Sequence, residues 1–124
     1  MAEKEPRAPP SNVTFQTITI PAGASMSPSL TVNGNNDQVL GITTPPAWDG
    51  GAPITFQWSY DGTTFWDIFD RDGSEPGFVW SAGVLLPVQS AYGFYVFPYI
   101  KIRSGPRARP VIQSAARTFS VLSQ

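Results

Sequence analysis

An antiparallel all-β fold, a sandwich or a jelly roll, is indicated by three features of this 124-residue sequence. Short runs of β-branched and aromatic residues alternate apolar with polar side chains, the period of a strand with one buried face. The 13 prolines and 11 glycines cut the chain into short pieces. No segment of helical length carries an apolar stripe of 3.6-residue period.

The clearest element is residues 54–70, ITFQWSYDGTTFWDIFD. Ile54, Phe56, Trp58 and Tyr60 alternate with Thr55, Gln57 and Ser59, and Asp61-Gly62 follows at once. Asp-Gly favours a type I′ turn, because both central residues need positive φ. A tight hairpin is therefore expected, its return strand placing Phe65, Asp67 and Phe69 on one side and Trp66 and Ile68 on the other.

Upstream, residues 13–20 read as a first strand closed by Pro21-Ala22-Gly23, and residues 30–32 as a short second one. A turn over 33–37 leads to a strand at 39–43 and a Pro/Gly loop at 44–53. Downstream, Arg71 to Gly77 read as a turn, and residues 78–80 and 84–88 as strand pieces. Residues 92–97 are aromatic-rich, residues 99–104 alternate, and residues 117–122 form the last strand. Residues 1–12, with Pro6, Pro9 and Pro10 among small and charged side chains, have nothing to bury and are expected to form a flexible arm. One domain over residues 13–124 remains.

Composition excludes several chemistries. Cysteine and histidine are both absent, which removes disulfides, thiolates and the commonest general base and metal ligand. A serine nucleophile would have to use Lys4 or Lys101, and neither stands in Ser-x-x-Lys spacing. A net charge of -1 argues against a nucleic-acid partner. No apolar run reaches the ~20 residues of a membrane helix, and MAEKEPRAPP lacks a signal-peptide core, so neither membrane nor secretion is expected. The expectation is a non-enzymatic protein without a cofactor.

Acidic residues gather in mid-chain (Asp37, Asp49, Asp61, Asp67, Asp70, Asp72, Glu75), and basic ones follow (Lys101, Arg103, Arg107, Arg109, Arg117). Either the molecule has an acidic and a basic side, or the strands mix the two sets. Among the acids, Asp61, Asp67, Asp70, Asp72 and Glu75 offer the carboxylate pair of a glycosidase, or simply turn caps. Asp70, Asp72 and Glu75 with Gly73 are a candidate calcium site, although the run does not match an EF-hand loop.

Contact residues are the remaining candidates. Trp58 and Trp66 alternate in phase with apolar neighbours and are assigned to core or interface. Trp48 stands in the Pro/Gly loop, where it either stacks on a sugar or partner or folds back over the end of the sandwich. Arg107 and Arg109, held between Pro106 and Pro110, either dock an acidic neighbour or stay solvated. Tyr92, Phe94, Phe97 and Tyr99 complete the candidate interface.

The hairpin run FQWSYDGTTFWD resembles that of galactose-binding-like and discoidin-like jelly rolls. The ordered set LGITTPPAWDGGAPITFQWSYDGTTFWDIFDRDGSE, YIKIRSG and RTFSVLS resembles small structural proteins encoded among the head and neck genes of tailed bacteriophages. That resemblance implies a virion component made in the host cytoplasm. Its expected place is the outer capsid surface, as a decoration or cement protein. The implied partners are the major capsid protein and further copies of the chain in a trimer. Its alternatives are a glycan-binding module of a head spike or tail tip, and a neck or baseplate adaptor. It supplies no catalytic residue.

Overall fold

Eight strands follow one another: β1 (Thr14–Ile20), β2 (Leu30–Thr31), β3 (Val39–Thr43), β4 (Ile54–Ser59), β5 (Trp66–Asp67), β6 (Leu85–Leu86), β7 (Tyr99–Ser104) and β8 (Arg117–Ser123). The structure is a computed structural model that describes residues 14–32, 39–69, 71–87 and 98–123, and no helix occurs among them. The expected arm (1–12), the 33–37 turn and the aromatic strand at 92–97 lie outside the described residues.

β1 pairs with β8, β2 with β7, β3 with β6 and β4 with β5, all antiparallel. The chain thus runs out and back as one long hairpin, which is then rolled so that β8 also meets β3 and β7 also meets β4. Two four-stranded sheets result, β1-β8-β3-β6 and β2-β7-β4-β5. This is the strand order of a jelly roll, the second of the two all-β architectures expected. Only β4 and β5 are consecutive partners in one sheet. Every other connection crosses between sheets, which accounts for the proline and glycine content.

Alternation in sequence becomes alternation in burial. Ile18 and Ile20 of β1, Ile42 of β3 and Phe119 and Val121 of β8 point inward from one sheet. They meet Ile54 and Phe56 of β4 and Ile100 and Ile102 of β7, while Val32, Val39 and Ile68 close the periphery. Phe119 is central: it is fully buried, and the Trp48 ring meets it edge-on at 5.6 Å between centroids.

Two elements differ from expectation. β4 and β5 pair only through Gln57 with Asp67 and Trp58 with Trp66, so the connection is longer than a two-residue turn. Ser59 and Asp61 organise it. Ser59 Oγ accepts from the N–H groups of Asp61 and Gly62 and donates to Asp61 Oδ1, which also accepts from the N–H groups of Thr63 and Thr64. Two side chains satisfying four backbone donors favour this wider loop over a type I′ turn. Residues 78–80 form no strand either; Phe78 makes a single two-way bridge with Ile54.

The connections β1–β2, β3–β4, β5–β6 and β7–β8 meet at one end of the roll, where Gly23 N–H donates to Gln113 O and Trp80 Nε1 to Pro45 O. Phe119→Ala removes the ring that both sheets and Trp48 share. It is expected to cost about 3–5 kcal/mol in urea unfolding.

Candidate functional site

The chemistry-bearing side chains collect in two clusters. The first is built on the outer face of the β2-β7-β4-β5 sheet, where Thr55 stands opposite Arg103 and Gln57 opposite both Lys101 and Asp67. Arg103 is only 3 % exposed. Its Nη1 reaches Asp67 Oδ1 at 2.7 Å, its Nη2 pairs with Glu75, and its Nε donates to Thr55 Oγ1 at 3.0 Å. Arg107 closes the cluster from above, with Nε 3.1 Å from Asp67 Oδ2 and its N–H donating to Glu75 Oε1 at 2.8 Å.

The local fold explains the seal. Gly105, at φ 91°, turns the chain back over the cluster, and its carbonyl accepts from Thr55 Oγ1 at 2.6 Å. A Cβ at Gly105 would come within 2.6 Å of the Arg109 carbonyl oxygen, so glycine is required here.

The second cluster ties the connections together. Arg117 of β8 places Nη2 3.0 Å from Asp49 Oδ1 and donates through Nε to the fully buried Gln113. Gln113 accepts from Asp49 N–H and donates to Ser104 Oγ at 2.7 Å. Among the described residues no buried side-chain nitrogen or oxygen lacks a partner. These arrangements hold loops in place; none presents a nucleophile beside a base.

Every ion pair among the described residues joins an acid from 49–75 to an arginine from 103–117. The two charge blocks of the sequence therefore neutralise each other in space. The acidic and basic sides do not form.

The expected site residues distribute accordingly. Trp48 is half-buried and donates through Nε1 to Ala52 O at 2.7 Å, so it folds back over the end of the roll. Arg107 finds its acidic neighbour within its own chain, at Asp67 and Glu75. Arg109 is exposed and engages Pro106 O through its backbone N–H. Tyr99 is half-buried, its ring lying over Gly62. Tyr92, Phe94 and Phe97 lie outside the described residues.

The carboxylates are likewise committed. Asp61 and Asp72 cap their own turns, Asp72 accepting from the N–H and Oγ of Ser74. Glu75 serves Arg103 and Arg107. Asp70 lies outside the described residues, among which no group of three potential metal ligands occurs.

Two exposed surfaces were not singled out by sequence reasoning. On the outer face of the β1-β8-β3-β6 sheet, Phe15 lies opposite Leu122, Thr17 opposite Ser120 and Thr19 opposite Thr118, with Thr43 and Leu85 continuing it. Phe15 is 70 % exposed, Leu85 56 %. The only charged residue in these four strands is Arg117, which is turned to Asp49. The second surface is aromatic: Trp66, 52 % exposed, stands opposite Trp58, whose ring lies 6.0 Å from that of the exposed Tyr60.

Burial alone would raise the Asp67 pKa, but hydrogen bonds from Arg103 and Gln57 and the charges of Arg103 and Arg107 outweigh it and hold the carboxyl below its usual value of 3.8. A carboxylate with a depressed folded pKa contributes stability that is present above its unfolded pKa and lost as pH falls through the folded one. Asp67→Asn is therefore expected to lower stability at pH 7 and to flatten its fall below about pH 4, read by urea unfolding across pH. Arg103→Met strands two carboxylates under the loops and is expected to cost about 3–5 kcal/mol at pH 7.

No family model, curated protein or solved structure matches this chain, so its own residues carry the functional argument.

Proposed function

We propose that this protein is a non-enzymatic virion component of a tailed bacteriophage, a decoration protein that binds the assembled major capsid protein on the outer surface of the shell. The observation that carries the reading is the uncharged, apolar and hydroxyl-rich outer face of the β1-β8-β3-β6 sheet, set against carboxylates and arginines consumed by loop closure. The sequence resemblance to head and neck proteins of tailed phages supports it. So, by fold-level analogy alone, does the jelly roll, an architecture used in viral capsid domains.

In this reading Phe15, Leu122 and Leu85 supply apolar burial while the Thr17, Ser120, Thr19 and Thr118 hydroxyls fit a polar surround. Contact through an uncharged face changes the expected salt response. Attachment to shells lacking the protein should persist as NaCl rises, because no exposed ion pair is screened. Phe15→Ser and Leu85→Ser should each weaken co-sedimentation with such shells by about tenfold or more, the equivalent of an exposed-to-buried side chain, without altering thermal unfolding. Unchanged co-sedimentation of both variants rejects this face.

One observation favours a second reading, a glycan-binding module of a head spike or tail tip. Trp66, Trp58 and Tyr60 form an exposed aromatic row on a sheet edge, the kind of surface on which sugar rings stack. A glycan-array signal abolished by Trp66→Ala, with shell binding absent, would establish this reading in place of the first.

A further inference from the structure

One strand lacks every device by which sheet edges are ordinarily closed. β1 ends its sheet, as β2, β5 and β6 end theirs; those three are two residues long, whereas β1 has seven. It contains no proline, no glycine and no charged side chain, and its register with β8 runs from Thr14 to Ile20 without a bulge. Charge, proline, bulges and shortness are what keep edge strands from pairing. Beside β1 the two sheets part, and Thr17, Ile18 and Thr19 face Pro28, Ser29 and Leu30 across a groove of about 180 Å³.

We propose that β1 is a self-pairing edge, through which two copies of the chain join antiparallel about a two-fold axis at Thr17 and make one continuous eight-stranded sheet.

Charge selects a second copy as the occupant. A two-fold contact sets each group near the axis beside its own counterpart, so any charge there repels itself. Residues 8–36, which include all of β1 and the Pro28–Leu30 rim of the groove, carry no charged side chain in a chain with 17 charged residues (8 basic and 9 acidic). The chain's own residues 1–12 are a poor alternative. Pro6, Pro9 and Pro10 offer no N–H to a ladder, and Glu3, Lys4, Glu5 and Arg7 would bring charge onto the edge. β1 has a donor at all seven positions.

The register also fits. With Thr17 on the axis, Phe15 lies opposite the partner's Thr19 on the outer face, which gives this exposed ring a cross-strand neighbour. Ile18 and Ile20 stay on the inner face. The contact yields a two-fold dimer where the sequence resemblance implies a three-fold one. It stands whether or not the protein belongs to a virion.

The test is the solution mass of the full chain by light scattering over a range of concentrations. A dimer is expected, and Thr17→Lys, which sets two ammonium groups together at the axis, should raise its dissociation constant at least tenfold. Val79→Lys, at an exposed site far along the chain, should leave it unchanged. Because the chain has no cysteine, Thr17→Cys introduces a single thiol. On mild oxidation it should give a disulfide-linked dimer much faster than Ile112→Cys in an exposed loop, a readout that does not depend on the lysine variant folding. A monomer at all concentrations up to about 1 mM, a dimer indifferent to Thr17→Lys, or a Thr17→Cys that cross-links no faster than Ile112→Cys would each overturn the proposal.

Discussion

The structure depends on the last strand finding its place between the first and the third. β8 pairs with β1 over seven residues, Thr14 with Ser123 through Arg117 with Ile20, and with β3 on its other side. It carries Phe119 and Val121, both fully buried, into the centre of the core. Until β8 docks, Ile18, Ile20 and Ile42 have no neighbour within their own sheet to complete their cover. The pairing spans nearly the whole chain, so its loop-closure entropy is opposed before most core contacts form. Non-local pairing of this kind makes the fold cooperative. It also leaves β1, whose single sheet partner comes from the far end of the chain, at the rim.

Closure of the roll explains where the charges went. Crossing connections must turn sharply and end near one another, and their backbone groups and side chains have to be satisfied without a helix or sheet to do it. Arg103, Gln113 and Arg117 perform this task, each reaching from β7, β8 or their connection to a carboxylate or amide of an earlier loop. A buried guanidinium contributes little net stability by itself, since desolvation offsets most of the attraction. Its effect is selective: Asp67 and Glu75 can approach only if loops 71–77 and 105–110 lie where they do. One sheet face is therefore sealed by ion pairs, and the opposite face is left to threonine, serine, leucine and phenylalanine.

Much of this was legible in the sequence, and the failures have physical causes. Strands at 39–43 and 99–104 emerge at the expected residues because both faces and both flanking turns are written in their alternation. The hairpin was legible as a pair of strands but not as a turn. Asp-Gly has a strong local preference, yet Ser59 two residues before Asp61 offers a competing hydrogen-bond scheme that periodicity does not register. Trp48 read as a free contact residue because its neighbours are proline and glycine; its partner, Phe119, lies 71 positions away in the numbering and only the fold joins them. Arg107 was placed in a stiff exposed loop correctly, while its partners Asp67 and Glu75 were assigned to turns. Pairing between distant charges has no local signature. The uncharged sheet was missed for the converse reason, since runs without charge are conspicuous only once alternate residues of four strands are laid side by side.

What remains for recognition is then set by subtraction. A side chain already holding a loop cannot be recruited by a partner without releasing what it holds, and for Arg103 that means exposing a sealed sheet face. Asp67, Glu75, Arg107, Asp49 and Arg117 are bound by the same constraint. Groups that can be engaged at no internal cost are those whose native contacts are few: the Phe15 ring, the threonine and serine hydroxyls of one sheet, the Trp66 and Tyr60 rings, and the rim strand β1. These are instruments of shape and burial. They suit a protein whose partner is another folded surface, and they tie its specificity to strand register and side-chain fit more than to charge.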